Sequence, residues 1–172
     1  MANEAWLNGK LEGFSPVMMP AAHALAQAIT DLENSAAALT REELSARPNG
    51  APSVAFHLRH IAGSIDRLLT YSRGGELSDD QFSRLEAENS DDSQPSAAEL
   101  TREAVREIRN ALDELKNVSP EALFETRFVG RRRLPTNVFG LLFHIAEHTA
   151  RHVGQVVTTA KIVRGGNNYN KE

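Results

Sequence analysis

Cysteine is absent from the 172 residues, and that absence removes disulfides, thiolate metal sites and a cysteine nucleophile together. Any metal would have to be held by imidazole, carboxylate or water. Long apolar runs are lacking too: none approaches the roughly 20 residues that a membrane-spanning helix needs. The opening, MANEAWLNGKLEGFSPVMMP, has no charged stretch followed by an apolar core, as a secretory signal would. A cytoplasmic protein with no membrane partner is expected. Basic charge is scarce as well. Lys and Arg number 19 against 23 Asp and Glu, for a net charge of −4, whereas phosphate-backbone binding calls for a basic surface. Nucleic acid is therefore not an expected partner. The single basic cluster, Arg131-Arg132-Arg133, is short and reads as a solvated turn.

What is present is a chain 41% hydrophobic and 24% charged, long enough for one domain (1–172) with its own core. Four segments carry helical periodicity. The first spans about Ser15 to Ala38, with Pro16 suited to a first turn and a stripe through Val17, Ala21, Leu25, Ile29 and Leu32. Thr40 and Glu43 have capping-box spacing for one short turn. The second opens at Ser53 and buries Val54, Leu58, Ile61, Ile65 and Leu68 before Gly74-Gly75. A long polar connection follows, with room for one helical turn. The third begins at Ser96, with Glu99 three residues on, and runs to about Lys116. FETRFVGRRRLP alternates around a Gly-Arg turn, as a small hairpin or an extended arm would. The fourth runs from near Thr136 to Gly165-Gly166, leaving residues 165–172 as a frayed tail. Strand content is too thin for an α/β fold, and four amphipathic helices with one long crossover between the second and third make an all-α four-helix bundle.

Five of the six histidines lie on two helices: His57 and His60 on the second, His144, His148 and His152 on the fourth. At about 100° per residue, His148 and His152 fall in the middle of the apolar arc of Leu141, Ile145, Val156 and Thr159. His144 and Gln155 lie on its flank. Burying an imidazole is costly unless it is hydrogen-bonded or coordinated, and two imidazoles one turn apart can aim at a single ion. A third ligand has to come from the second helix, where His57 lies nearer the centre of the apolar face than His60. Either choice gives three imidazoles and at least one coordination position open for water or substrate, as in catalytic zinc sites. Zinc or nickel is the expected metal, though imidazole also suits iron and copper and ligand type alone does not fix it.

SVAFHLRHIAGSIDRLLTY and LLFHIAEHTARHVGQV, with HTARHVGQ as the most specific piece, resemble the DinB/YfiT-like superfamily of metal-binding four-helix bundles. The opening WLNGKLEGFSPVMMPAAHAL is similar to that of one subgroup. The resemblance implies an up-down-down-up bundle that carries one divalent metal on three histidines and pairs as a homodimer. Position by position, the family's ligands match His60, His148 and His152. His60, followed by IAGS, thus displaces the His57 that periodicity prefers. His144 matches a pocket position, leaving His144, His57 and Gln155 as candidates for supporting roles.

The resemblance also implies a small-molecule substrate. One reading is a metal-dependent transferase using a low-molecular-weight thiol, with Arg59, Arg67, Arg151 or the 131–133 arginines holding an anionic thiol. A second is a hydrolase with metal-activated water, although no Asp or Glu neighbours the candidate ligands on the apolar faces. A third is a non-catalytic metal-binding module, favoured if His57 is a fourth ligand.

Overall fold

The computed structural model of the chain describes residues 4–89 and 95–169. In chain order it contains α1 (Met19–Ser35), α2 (Arg41–Ser45), α3 (Val54–Ser72), α4 (Asp79–Ala87), α5 (Ala97–Asn117), β1 (Thr126–Val129), β2 (Leu134–Asn137) and α6 (Val138–Tyr169). The protein is mostly helical, as its sequence predicts. Among the described residues no helix is long and apolar enough to cross a membrane.

The helix starts follow local chemistry. The side chains of Thr40, Ser53, Ser78 and Ser96 each accept the backbone N–H three residues on, satisfying donors that a first helical turn leaves orphaned. At Thr40, Ser78 and Ser96 a reciprocal Glu or Gln completes a capping box. Asn137 does the same for α6, its Oδ1 accepting from the Gly140 amide at 2.7 Å. Helix α1 is shorter than its apolar stripe suggests: residues 16–18 form a turn, and Pro20 sits in the first helical turn, where its missing N–H costs nothing. Helix α6 passes through the Gly165-Gly166 pair to Tyr169. Gly165 has no positive φ, so it does not form the left-handed cap that would end a helix. Residues 170–172 of the expected tail lie outside the described residues.

Packing follows the stripes. Helix α3 packs against α5 and α6, and α1 touches the same two helices. Between them lie fully buried Leu25, Leu32, Leu58, Ile61, Ile65, Ile108, Leu115, Leu142 and Ile145, residues spaced three, four or seven apart on each helix, as burying one face requires.

Two connections depart from plain loops. The expected hairpin is present, with β1 antiparallel to β2 and Val129 opposite Leu134 across the turn 130–133. The crossover between α3 and α5 contains the nine-residue α4 rather than a single turn. Its capping box Ser78–Gln81 was in the sequence. Gln81 is buried, and its Nε2 donates to Asp66 Oδ2 at 3.0 Å and to Thr70 Oγ1 at 2.9 Å. Those bonds lay the crossover helix against α3.

Candidate metal centre

Helix α3 carries His60 near its middle, and α6 carries His148 and His152 one turn apart. One ring nitrogen from each lies within 4.8 Å of the other two. The Nε2 atoms of His60 and His148 are 3.4 Å apart. Zinc–imidazole bonds of about 2.0–2.1 Å at tetrahedral angles put two ligand nitrogens about 3.3–3.4 Å apart. That spacing is long for a nitrogen–nitrogen hydrogen bond and suits two donors to one ion. The three histidines can therefore bind a metal ion between them.

The rings are oriented from behind. His60 Nδ1 donates to Glu88 Oε2 at 2.7 Å, which leaves the Nε2 lone pair facing His148. Glu88 is 5% exposed and caps the end of α4. Its other oxygen, Oε1, lies 2.8 Å from Arg67 Nη1, off the hydrogen-bonding axis, so the contact is an ion pair rather than an aligned hydrogen bond. Phe56 stacks on His60 with centroids 5.5 Å apart and rings 13° from parallel. A carboxylate that orients a ligating imidazole is a recurrent partner in metal sites. The sequence offers no Asp or Glu beside these histidines on the apolar faces of α3 and α6. The crossover delivers one instead.

His57 is 4% exposed and lies outside the close group. Its Nδ1 is 3.0 Å from His152 Nδ1. With His152 Nδ1 donating to His57 Nδ1, His152 keeps the Nε2 lone pair for an ion, and His57 acts as its support. Periodicity thus ranked burial correctly, while the close trio contains His60 rather than His57. An ion with an open position has to sit where the apolar face meets solvent, and His60, its side chain 21% exposed, is on that flank. His144 is half-buried. Its Nδ1 donates to Glu147 Oε1 at 2.6 Å, and its ring lies 5.2 Å from that of His148. Gln155 is exposed on α6 and is not brought to the group.

The electrostatics favour the neutral form of His148 and His152. Burial, then the His60 imidazole, pushes His148 down to about 4. Burial, His60 and then His148 do the same to His152, also to about 4. Burial followed by His60 lowers His57. Burial works to raise Glu88, but the hydrogen bond from His60 and the pairing with Arg67 outweigh it and hold the carboxylate below its ordinary value. At neutral pH His148 and His152 are thus neutral, with lone pairs available, and Glu88 is charged, as metal binding requires.

A model of the DinB superfamily matches residues 24–156, a span that takes in all three histidines. The chain belongs to the DinB superfamily. No curated protein matches it. Within this DinB chain two of the arginines expected near a thiol are paired with carboxylates. Arg67 is buried against Glu88, and Arg151 Nε pairs with Glu147 Oε2 at 2.9 Å. Arg59 lines a cavity of about 260 Å³ between α3, α4 and α5 that Glu88 also borders. The residue missed in the sequence is Glu88, and Arg67, expected near a thiol, instead pairs with it. The one available signal was the SDDQ capping box, which marks the start of the helix that Glu88 ends.

Proposed function

We propose that the protein is a cytoplasmic, metal-dependent transferase that joins a low-molecular-weight thiol to a small electrophile. The fold we propose for it is one domain, an up-down-down-up four-helix bundle. His57 meets His152 while His60 meets His148, which supports α3 antiparallel to α6. Arg73 and Glu114, each near the C-terminal end of its helix, pair at 2.7 Å, which supports α3 parallel to α5.

The observation that carries the functional reading is the half-open trio of converging imidazoles. His60, His148 and His152 would hold a divalent ion, zinc or nickel, with a coordination position left for substrate. A bound ion supplies Lewis acidity that makes a coordinated thiol a thiolate at neutral pH. The chain's own residues do the rest. Glu88 and His57 fix the tautomers of His60 and His152 so that both present lone pairs inward. His144, with Nδ1–H committed to Glu147, keeps Nε2 free to take the proton that the thiol gives up. Phe56 stacked on His60 limits that ring's motion.

The test is conjugation of a model electrophile with bacillithiol, mycothiol and glutathione in turn, with and without added metal. Turnover with one of them that vanishes on chelation is expected, and His144→Ala should lower kcat while the metal stays bound. No metal-dependent turnover with any thiol would rule the transferase out. The hydrolase is the second reading, favoured by the same His144–Glu147 pair, which could equally deprotonate a metal-bound water. The non-catalytic reading loses its main support with His57 turned onto His152 rather than into the group.

We also propose a homodimer, supported by apolar side chains left on the surface, among them Phe124 at 70% exposure and Phe143 and Ile162 at 52%. Light scattering coupled to size exclusion should give twice the chain's mass. The mass of a single chain would refute the pairing.

A further inference from the structure

A second cavity, of about 410 Å³, lies where the hairpin, the turn after α3 and α4 meet, a volume typical of small-molecule sites. It is remote from the three histidines. Tyr71, on its wall, is eleven residues beyond His60 on α3 (71 − 60), or roughly 16 Å at about 1.5 Å per residue. The walls are unusual for a protein with a net charge of −4. Arg127, Arg131 and Arg133 face the cavity with Tyr71, Phe82 and Phe128, and Glu76 is the only carboxylate among the lining residues.

The three arginines are not equivalent. Arg127 Nε donates to the Ser72 carbonyl at 2.7 Å and its Nη2 to Glu125 at 2.8 Å, tying the hairpin to the end of α3. Arg131 lies over the Phe82 ring at 5.4 Å, and Arg133 over Phe128 at 4.4 Å. Neither has a carboxylate partner among the described residues. A guanidinium held over a ring face by cation–π attraction still carries N–H donors that match the fork of a phosphate or carboxylate.

The backbone adds an independent sign. Arg133 has φ +48°, and besides it only Asn49 among the described non-glycine residues has a positive φ. Asparagine tolerates that region; arginine seldom occupies it. Strain of this kind persists where the surroundings fix it, and it clusters at ligand sites. The 131–133 run is exposed, as its sequence predicts, but the hairpin turns two of its three guanidiniums onto one cavity.

We propose that this cavity binds a small organic anion, a phosphate or carboxylate group carried on a flat apolar body. Arg131 and Arg133 take the anionic group, and Phe82, Phe128 and Tyr71 take the body. The site is independent of the three-histidine group and of the reaction proposed there.

The test is calorimetric titration of the full chain with phenyl phosphate, beside inorganic phosphate, at low and high salt. Phenyl phosphate should bind more tightly than phosphate, and its binding should weaken with salt. Arg131→Ala and Arg133→Gly should each weaken it on the order of tenfold, as loss of a charge-assisted bond would. Glycine suits the positive φ at 133, so that variant keeps the turn, and both variants should retain wild-type metal content. His148→Ala should bind phenyl phosphate as wild type does. No saturable binding up to about 10 mM, a Kd range weaker than most small-ligand sites, would overturn the proposal. So would unchanged binding in both arginine variants, or binding lost in His148→Ala alone, which would put the anion at the histidines.

Discussion

His148→Ala is expected to purify without metal from conditions in which the wild-type chain carries about one divalent ion, as one three-imidazole site holds. Metal-binding free energies of about 10–16 kcal/mol for four-ligand zinc sites amount to roughly 3–4 kcal/mol per ligand. Removing one should weaken binding by on the order of 10² to 10³-fold. His23→Ala is the matched control, since His23 Nε2 is engaged with the Gly9 carbonyl at 2.9 Å, far along the chain from the group. Mass-spectrometric metal analysis of the three proteins decides the matter. Equal metal in wild type and His148→Ala, or no uptake by wild type, would remove the site. The metal-free protein also carries a pH signature. His148 and His152 titrate near 4 when folded against an ordinary 6.5, so between those values the unfolded chain binds protons that the folded chain refuses. Stability should therefore be full above about pH 6.5 and fall as pH drops towards 4, and bound metal should steepen the loss.

Glu88→Ala should both destabilise the fold and weaken the metal. The substitution leaves Arg67, 9% exposed, as a buried charge without its counter-ion, a change that costs about 3–5 kcal/mol when the pair is well buried. It also strips the acceptor from His60 Nδ1, and loss of such an orienting partner lowers metal affinity roughly 10- to 100-fold. The two effects separate in the double variant Arg67→Met with Glu88→Leu. Replacing both members of a buried ion pair with apolar side chains is often close to neutral, so urea unfolding should recover most of the loss. Competition against a chromophoric chelator should still show the weaker metal binding. If Glu88→Ala binds metal as tightly as wild type, Glu88 does not orient His60.

Much of this molecule is legible in its sequence because the governing rules are local. Ser53, Ser96 and Thr40 announce their helices by side-chain chemistry that acts within four residues, and Leu100, Ala104, Ile108, Ala111 and Leu115 mark one face of α5 by spacing alone. His148 and His152 stand out because a polar residue on an apolar arc demands a partner. The choice between His57 and His60 was different in kind. A helical wheel reports which side chain lies deeper, and His57 does; which one reaches the group depends on how α3 and α6 are set against each other. Glu88 was further from view, because its role depends on where a 24-residue connection folds back. Gly63 shows the same limit. A Cβ there would stand 2.7 Å from both Arg67 Nη1 and Glu88 Oε1, so the glycine is the floor on which that ion pair rests, and nothing in the residues next to it says so.

The distance along the chain between His60 and His148 is 88 residues, about half the polypeptide. An ion gripping both would act as a clasp, joining two strands of the unfolded coil that otherwise move independently. A cross-link closing a loop of that length removes conformational freedom worth about 4–5 kcal/mol in the chain-entropy picture. In a polypeptide with no cysteine, covalent staples are closed off, and a coordinated ion is the one tether of this reach that the side chains can make. Loading the centre would then do more than equip it for chemistry: it would fasten the second and fourth long helices together in every state that keeps the ion.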